Sequence, residues 1–357
     1  MVAVFSAPSA MTPRERLLRA LQREPVDRPP VICPGGMMTM ATRSAMEACG
    51  AAWPAAHTDG RAMAAIVFAT QKETGLECLS VPFCMTVEAE ALGCRVDMGT
   101  ATVLPHVAAE ALSHISGLAN LPAFDAERSG RARVVLEALR ILAQSGMPYP
   151  VIGAVVGPVS LAAMVMEAGI FLRLTRRSPE AAQELVRAME RVTLGFALAQ
   201  RAAGADCILI AEPSATGEVL GGAHFARLAL PALSRILDKL RQRGVPAILH
   251  ICGDVWPLLG PLCGLAAGHA APLALSVDSM VSGRLLREHV PGCVCVGNVD
   301  ALLLERGPVS AIERAARRAA RDFDVVSPAC GLVARTPARN LAALVEVVRH
   351  GHTRAEA

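Results

Sequence analysis

Aromatic residues are scarce in this chain, which has 8 Phe, 2 Trp and 1 Tyr among its 357 residues. Hydrophobic residues nevertheless make up 53% of the sequence, so we expect a large core built from Ala, Leu, Val and Met. Lysine is also rare, because Lys72 and Lys239 are the only two and Arg supplies nearly all other positive charge. The formal net charge of +3 is too small to indicate a nucleic-acid partner.

Long apolar runs are missing as well. None approaches the roughly 18 residues that a bilayer-spanning helix needs, so we expect no membrane association. The first ten residues have no basic segment and are too short for a secretory signal. The 11 cysteines lack the dense spacing of a disulfide framework, and most are expected to be reduced, buried hydrophobes. We therefore expect a cytoplasmic protein.

Eight short apolar runs recur along the chain, with helical patterns between most of them. The runs are 31–33, 78–81, 151–154, 207–210, 247–250, 273–277, 293–296 and 325–327. Continuous apolar runs are typical of strands that are covered on both faces. Eight such units predict an α/β fold, a (β/α)8 TIM barrel. Periodicity does not distinguish this barrel from a doubly wound open sheet, which is the competing fold.

The chain is predicted to consist of three regions. Residues 1–29 are predicted to form an N-terminal helical extension, which begins at the capping box from Thr12 to Glu15. Residues 30–350 are predicted to form a single catalytic barrel domain, and 351–357 a polar tail. The stretch after the second strand is long for one βα unit, so we expect an inserted hairpin between Glu90 and Val107.

Three soft ligands stand at the ends of two apolar runs. His250 and Cys252 close the fifth run, and Cys330 follows the eighth. Residues i and i+2 of a strand point to the same side, and catalytic residues of TIM barrels come from the ends of several strands. One imidazole and two thiolates form the ligand set of a catalytic zinc site with an open position. The alternative is a core histidine and two core cysteines.

Four sequence blocks carry a resemblance to a known family. They are Val26–Met38 (VDRPPVICPGGMM), Pro82–Cys94 (PFCMTVEAEALGC), Leu249–Asp254 (LHICGD) and Ser327–Pro337 (SPACGLVARTP). In composition and order these blocks resemble the methylcobamide:coenzyme M methyltransferases of the uroporphyrinogen decarboxylase superfamily. The likeness runs from about Thr12 to His350.

The resemblance implies a TIM barrel with Zn²⁺ at its mouth, held by His250, Cys252 and Cys330. It implies that Asp278 can take the fourth zinc position when no thiol is bound, although an Asp at a strand end also caps helices. The reaction implied is transfer of a methyl group from methylcobalamin or a related methylcorrinoid to a small thiol such as coenzyme M, which the metal activates. No corrinoid-binding motif is found, so the methyl donor is expected on a separate corrinoid protein.

Further site candidates follow from strand ends and from the family blocks. Glu212 and Asn298 end the fourth and seventh runs and are predicted to face the mouth, in catalytic roles. Glu88 lies in the second block and is a candidate cofactor-binding residue. Asp254 either orients His250 or caps a helix. The first block supplies a Gly-rich segment that forms turns or leaves room for the corrin, and its candidates are Gly35, Gly36 and Met37.

Other functions remain open at this point. A corrinoid-dependent demethylase or a methylcorrinoid:tetrahydrofolate methyltransferase would use the same metal and corrinoid. A uroporphyrinogen decarboxylase-like lyase is disfavoured, because the arginines that follow the first strand of that branch are absent here. A non-catalytic corrinoid-binding module would have no need of all three ligands. The sequence does not give the oligomeric state.

Overall fold

The computed structural model describes residues 11–34, 40–269 and 271–351. Its main sheet has seven parallel strands in the order β1-β4-β5-β6-β7-β8-β9, and β2 and β3 form a separate antiparallel pair. The strands are β1 Leu79–Val81, β2 Arg95–Asp97, β3 His106–Ala109, β4 Val151–Val156, β5 Cys207–Ala211, β6 Ala247–Ile251, β7 Ala274–Val277, β8 Val294–Val299 and β9 Val325–Pro328.

A short extended stretch at Val31 closes the sheet into a ring. On one side Val31 forms a parallel bridge with Val326 of β9, and the Ile32 N–H donates to the Val326 carbonyl at 2.9 Å. On the other side the Glu77 N–H, just before β1, donates to the Val31 carbonyl at 2.8 Å. All eight predicted runs therefore contribute to one barrel, and the (β/α)8 prediction is confirmed. The first run contributes only this one bridge.

Helices connect most of the strands and cover the outside of the ring. They are α1 Pro13–Leu21, α2 Arg43–Cys49, α3 Gly60–Thr74, α4 Val87–Ala91, α5 Ala132–Gln144, α6 Pro158–Val165, α7 Ala168–Arg177, α8 Pro179–Ala202, α9 Gly221–His224, α10 Leu230–Gln242, α11 Leu259–Gly268, α12 Gly283–His289, α13 Ala301–Arg306, α14 Val309–Asp322 and α15 Ala338–Gly351. Within the described residues, no helix is both long enough and apolar enough to cross a membrane.

The predicted helix start and hairpin are both present. Thr12 caps α1, since its side-chain oxygen accepts the Glu15 N–H at 3.2 Å. The hairpin inserted after β1 consists of β2 and β3 and lies slightly later in the chain than predicted. Residues 1–10 and 352–357 lie outside the described part of the chain, so the outer limits of the extension and the tail stay predictions.

The core is aliphatic, as the composition predicts. All six residues of β4 and all five of β5 are buried, because the barrel interior covers one face of each strand and the helices cover the other. Four aromatic residues are large core fillers, since Phe83, Phe171, Phe196 and Phe225 are fully buried. This rigid ring carries the loops that follow the strands.

A buried carboxylate ties the ends of the described chain to the ring. Glu77 is 1% exposed and accepts hydrogen bonds from Arg28 at 2.6 and 2.8 Å and from Arg16 at 3.2 Å. It also accepts the Val31 N–H at 3.0 Å, and Arg349 of α15 lies 3.7 Å away. One side chain thus joins α1, the closing stretch and the last helix.

Candidate metal centre

The end of β6 places a histidine inside the barrel. His250 pairs in register with Ala211 of β5 and Ser276 of β7, and its side chain is fully buried. Cys252 is the first residue after Ile251, which ends the strand. The strand therefore holds both side chains in place at its carboxyl end, where the sequence predicts them.

Cys330 reaches the same point from β9, which ends two residues earlier. Its Sγ lies 3.3 Å from the Cys252 Sγ, and the Cys252 Sγ lies 3.1 Å from the His250 Nε2. Within the described residues these three form the one group of potential metal ligands whose donor atoms all lie within 4.8 Å of one another. The fold therefore assembles the predicted triplet from positions 78 residues apart.

A serine on the neighbouring strand orients the imidazole. The Ser276 Oγ lies 3.0 Å from the His250 Nδ1, and both side chains are buried. A hydrogen bond at Nδ1 leaves Nε2 directed at the thiols and available to a metal, which is the usual arrangement behind a metal-binding histidine. Asp254 does not take this role, because its Oδ1 accepts the Trp256 N–H at 2.7 Å. Sequence reasoning missed Ser276, although it occupies the position beside His250 in the sheet register.

The two thiols titrate as a pair. The hydrogen bond with Cys252 and, to a smaller extent, the contact with His250 outweigh the opposing effect of burial and lower the pKa of Cys330 to about 5. The same contact with Cys330 raises the pKa of Cys252, and burial and the charge of Asp278 add to the increase. The first proton therefore leaves from Cys330, and the resulting thiolate is a soft metal ligand.

Asp278 and Asn298 lie beside the triplet. The Asp278 Oδ2 accepts the N–H of Gly253 at 3.1 Å, next to Cys252, but Asp278 is outside the 4.8 Å donor group. The Asn298 amide donates to the carbonyls of Asp278 and Val281 at 2.9 and 2.5 Å. Asn298 therefore fixes the loop that carries Asp278. The proposed place of Asp278 as fourth ligand stays a prediction.

The carboxylate of Glu212 accepts three hydrogen bonds in the protein interior. Its Oε1 accepts the Val159 N–H at 3.0 Å, and its Oε2 accepts the Ser160 N–H at 2.9 Å and the Ser160 hydroxyl at 2.6 Å. Burial raises the pKa of Glu212 to about 7, although these hydrogen bonds act against the increase. In this arrangement Glu212 anchors the first turn of α6, and a catalytic role stays a prediction.

Glu88 is a second buried acid near the carboxyl end of the sheet. Its Oε1 accepts the N–H of Val156, the last residue of β4, at 2.7 Å. Burial raises the pKa of Glu88 to about 8, so at neutral pH the side chain is mostly protonated. A contact with a corrinoid stays a prediction. The other cofactor-binding candidates, Gly35, Gly36 and Met37, lie outside the described residues.

Replacing Ser276 with alanine is expected to weaken zinc binding by about 10- to 100-fold, the usual cost of losing such a hydrogen bond to a ligating histidine. The cause is loss of the bond that holds the His250 ring. The measurement is competition with a chromophoric zinc chelator. Ser327→Ala is the matched control, because Ser327 is a buried serine of β9 whose hydroxyl, among the described residues, donates to the carbonyl of its neighbour Pro328. Equal zinc affinities in the two variants would contradict this role.

Comparison with known proteins gives matches over nearly the whole chain. The family model described as Uroporphyrinogen decarboxylase (URO-D) matches residues 12–351. The chain is 32% identical over 342 residues to the methylcobamide:CoM methyltransferase MtbA of Methanosarcina acetivorans, with 95% of this chain and 98% of the relative covered. A uroporphyrinogen decarboxylase of Nocardia farcinica is 30% identical, but over 67% of this chain and 66% of the relative.

A solved structure gives the same result for the fold. A methyltransferase from Methanosarcina mazei superimposes with a TM-score of 0.87 at 30% identity, over 96% of this chain and 99% of the other.

Proposed function

The chain belongs to the uroporphyrinogen decarboxylase family and, within it, to the group of the methylcobamide:coenzyme M methyltransferases; on that premise we propose that it moves a methyl group from a methylated corrinoid to a small thiol. Membership of that group makes it a methyltransferase enzyme. For this chain we propose three further properties: a thiol as methyl acceptor, a corrinoid as methyl donor, and a bound metal ion.

The observation that carries the proposal is the donor group of His250, Cys252 and Cys330. One imidazole nitrogen and two thiol sulfurs within 4.8 Å of one another fit zinc better than the oxygen-preferring cations. Three protein ligands leave one position for a substrate, as in catalytic zinc sites. When bound, zinc would lower the pKa of a substrate thiol at that position and so supply a thiolate at neutral pH.

The protein's own residues make this group ready for a metal. Ser276 holds the His250 ring in place, and the contact between the two cysteines favours the first deprotonation at Cys330. His250 is fully buried, whereas both cysteines are partly exposed. A substrate can therefore reach the two sulfurs from the loop side, while the imidazole stays shielded from water.

The test is product analysis with free methylcobalamin and a panel of thiols that includes coenzyme M and homocysteine. We expect the zinc-loaded protein to form the S-methyl product of at least one thiol, and the visible spectrum of methylcobalamin to change in step. Tetrahydrofolate and uroporphyrinogen serve as parallel substrates. Methylation of tetrahydrofolate alone would favour the alternative transferase, and decarboxylation of uroporphyrinogen without thiol methylation would contradict the proposal.

A further inference from the structure

Four neighbouring loops at the metal site each expose one large apolar side chain. We define the rim as segments 212–220, 252–258, 278–282 and 300–302, which follow β5, β6, β7 and β8; the last of these segments includes the first two residues of α13. Of the seven large hydrophobic side chains that are exposed in the described part of the chain, four belong to the rim: Val219 (44% exposed), Trp256 (57%), Met280 (66%) and Leu302 (62%). Single exposed apolar residues need no explanation, but one on each of four adjacent loops indicates a contact surface.

Hydrogen bonds join the loops after β5 and β6. The Gly217 N–H donates to the Asp254 carbonyl at 2.8 Å, and the Asp254 N–H donates to the Glu218 Oε1 at 2.9 Å. The loop also fixes Trp256, whose N–H donates to the Asp254 Oδ1 at 2.7 Å and whose ring lies 5.2 Å from that of His289. The largest apolar side chain of the rim is therefore held in position.

The remaining loops continue this network. Asp278 of the β7 loop accepts the Gly253 N–H of the β6 loop at 3.1 Å. The Ser279 hydroxyl donates to the Asp300 Oδ2 at 3.1 Å, which joins the β7 and β8 loops. The rim is thus one connected surface, and a surface ordered before contact loses less conformational entropy when a partner binds.

The charge of the rim has one sign. The rim contains five acidic residues and no Lys, Arg or His, in a chain whose net charge is +3. Glu212 is buried, which leaves four near the surface: Glu218, Asp254, Asp278 and Asp300. An acidic and apolar surface favours a partner that presents basic side chains around an apolar patch. It disfavours a second copy of this chain in a two-fold contact, because each rim would then face its own negative charge.

We propose that the rim is the docking surface of the protein that carries the methylated corrinoid, and this inference rests on the proposed function. Cys252 and Asp278 are themselves rim residues, so a methyl donor that reaches the triplet must approach across the rim. The partner's matching surface is apolar, with basic side chains around it. Docking there places the corrin over the two sulfurs, and the Val219, Trp256, Met280 and Leu302 side chains contact the partner.

The test compares two methyl donors. One is free methylcobalamin, and the other is the methylated corrinoid protein. This protein is purified from source cells by following the fraction whose methyl group the unaltered enzyme transfers to a thiol. For Met280→Ser/Leu302→Ser we expect kcat/KM to fall about tenfold or more with the protein donor, as for loss of central interface contacts. With free methylcobalamin we expect a much smaller fall. Met147→Ser is the control, because Met147 is also exposed (37%) but precedes β4, at the opposite end of the barrel.

Salt provides a second measurement. If basic side chains of the donor meet the rim, kcat/KM with the protein donor falls as ionic strength rises, while the reaction with free methylcobalamin changes little. Equal losses with both donors, or the absence of any such donor fraction, would overturn the docking inference. So would a change of oligomeric state in the double variant, which would assign the rim to a second copy. Failure with free methylcobalamin itself would instead reject the proposed function.

Discussion

Cys252→Ala is expected to lower the rate of methyl transfer from methylcobalamin to a thiol by roughly a thousandfold. Metal activation of a nucleophile is worth several kcal/mol, and about 1.4 kcal/mol corresponds to tenfold in rate. The Cys252 Sγ contacts both other members of the triplet, at 3.1 and 3.3 Å. Its loss therefore removes one ligand and also the contact that lowers the pKa of Cys330.

The measurement pairs the initial rate with zinc content per protein, determined by metal analysis. Cys263→Ala is the matched control, because Cys263 is also a partly exposed free thiol but lies in α11, outside the donor group. It should keep the full rate and the full zinc content. Cys330→Ala should resemble Cys252→Ala, and the double variant should be little worse than either, because residues that act as a unit are not additive. A Cys252→Ala enzyme with undiminished rate would refute the role of the triplet.

The second large effect concerns stability. Glu77→Ala is expected to lower the free energy of unfolding by about 3–5 kcal/mol, the usual cost of breaking a buried ion pair by removing one partner. Arg28 is 13% exposed and would keep a largely buried charge without its counter-ion. Arg16, 4% exposed, would lose one of its two carboxylate partners and stay paired with Asp27. The Val31 N–H, where the barrel closes, would also lose its acceptor.

Chemical denaturation monitored by circular dichroism measures this loss. Glu313→Ala is the control, since Glu313 forms an ion pair with Arg317 on the surface of α14, and such pairs contribute about 0–1 kcal/mol.

The pH dependence of the free energy of unfolding gives an independent check. Burial tends to raise the pKa of Glu77, but the hydrogen bonds and charge of Arg28, together with Arg16 and the Val31 N–H, bring it below its usual value. Its stabilisation is therefore complete above the unfolded-state pKa and is lost as pH falls through the folded-state value.

The sequence predicts the parts of this protein that local pattern determines. Apolar runs locate the strands, because strands covered on both faces need uninterrupted hydrophobic side chains. The i, i+2 spacing of His250 and Cys252 places them together at the end of one strand. The pairing of these residues with Cys330, 78 positions away, needs the barrel, and the sequence provides it only through the repeated βα units and the family resemblance.

The partners of polar side chains could not be predicted in the same way. Ser276 is one buried residue in an apolar strand, and only the register between β6 and β7 brings it next to His250. Glu212 directly follows the end of a strand, close to its predicted place, yet its carboxylate accepts hydrogen bonds from the first turn of α6. Sequence position gives the end of the barrel at which a side chain lies. It does not show whether that side chain is free for a substrate or already bound to a neighbouring element.

The connected loops around the metal site have a consequence for the speed of repeated turnover. A carrier that delivers one methyl group must depart before the next arrives, so tight association would slow the cycle. The exposed apolar part of the rim is limited to four large side chains, those of Val219, Trp256, Met280 and Leu302, and permanent complexes have more hydrophobic interfaces than transient ones. Hydrogen bonds between successive loops, the first donated by Gly217 and the last accepted by Asp300, already hold the loops in place. Little reordering of the loops is therefore needed before each encounter. The rim is therefore suited to short-lived complexes that form often. The ordered loops orient the partner, so correct positioning does not require a long residence time.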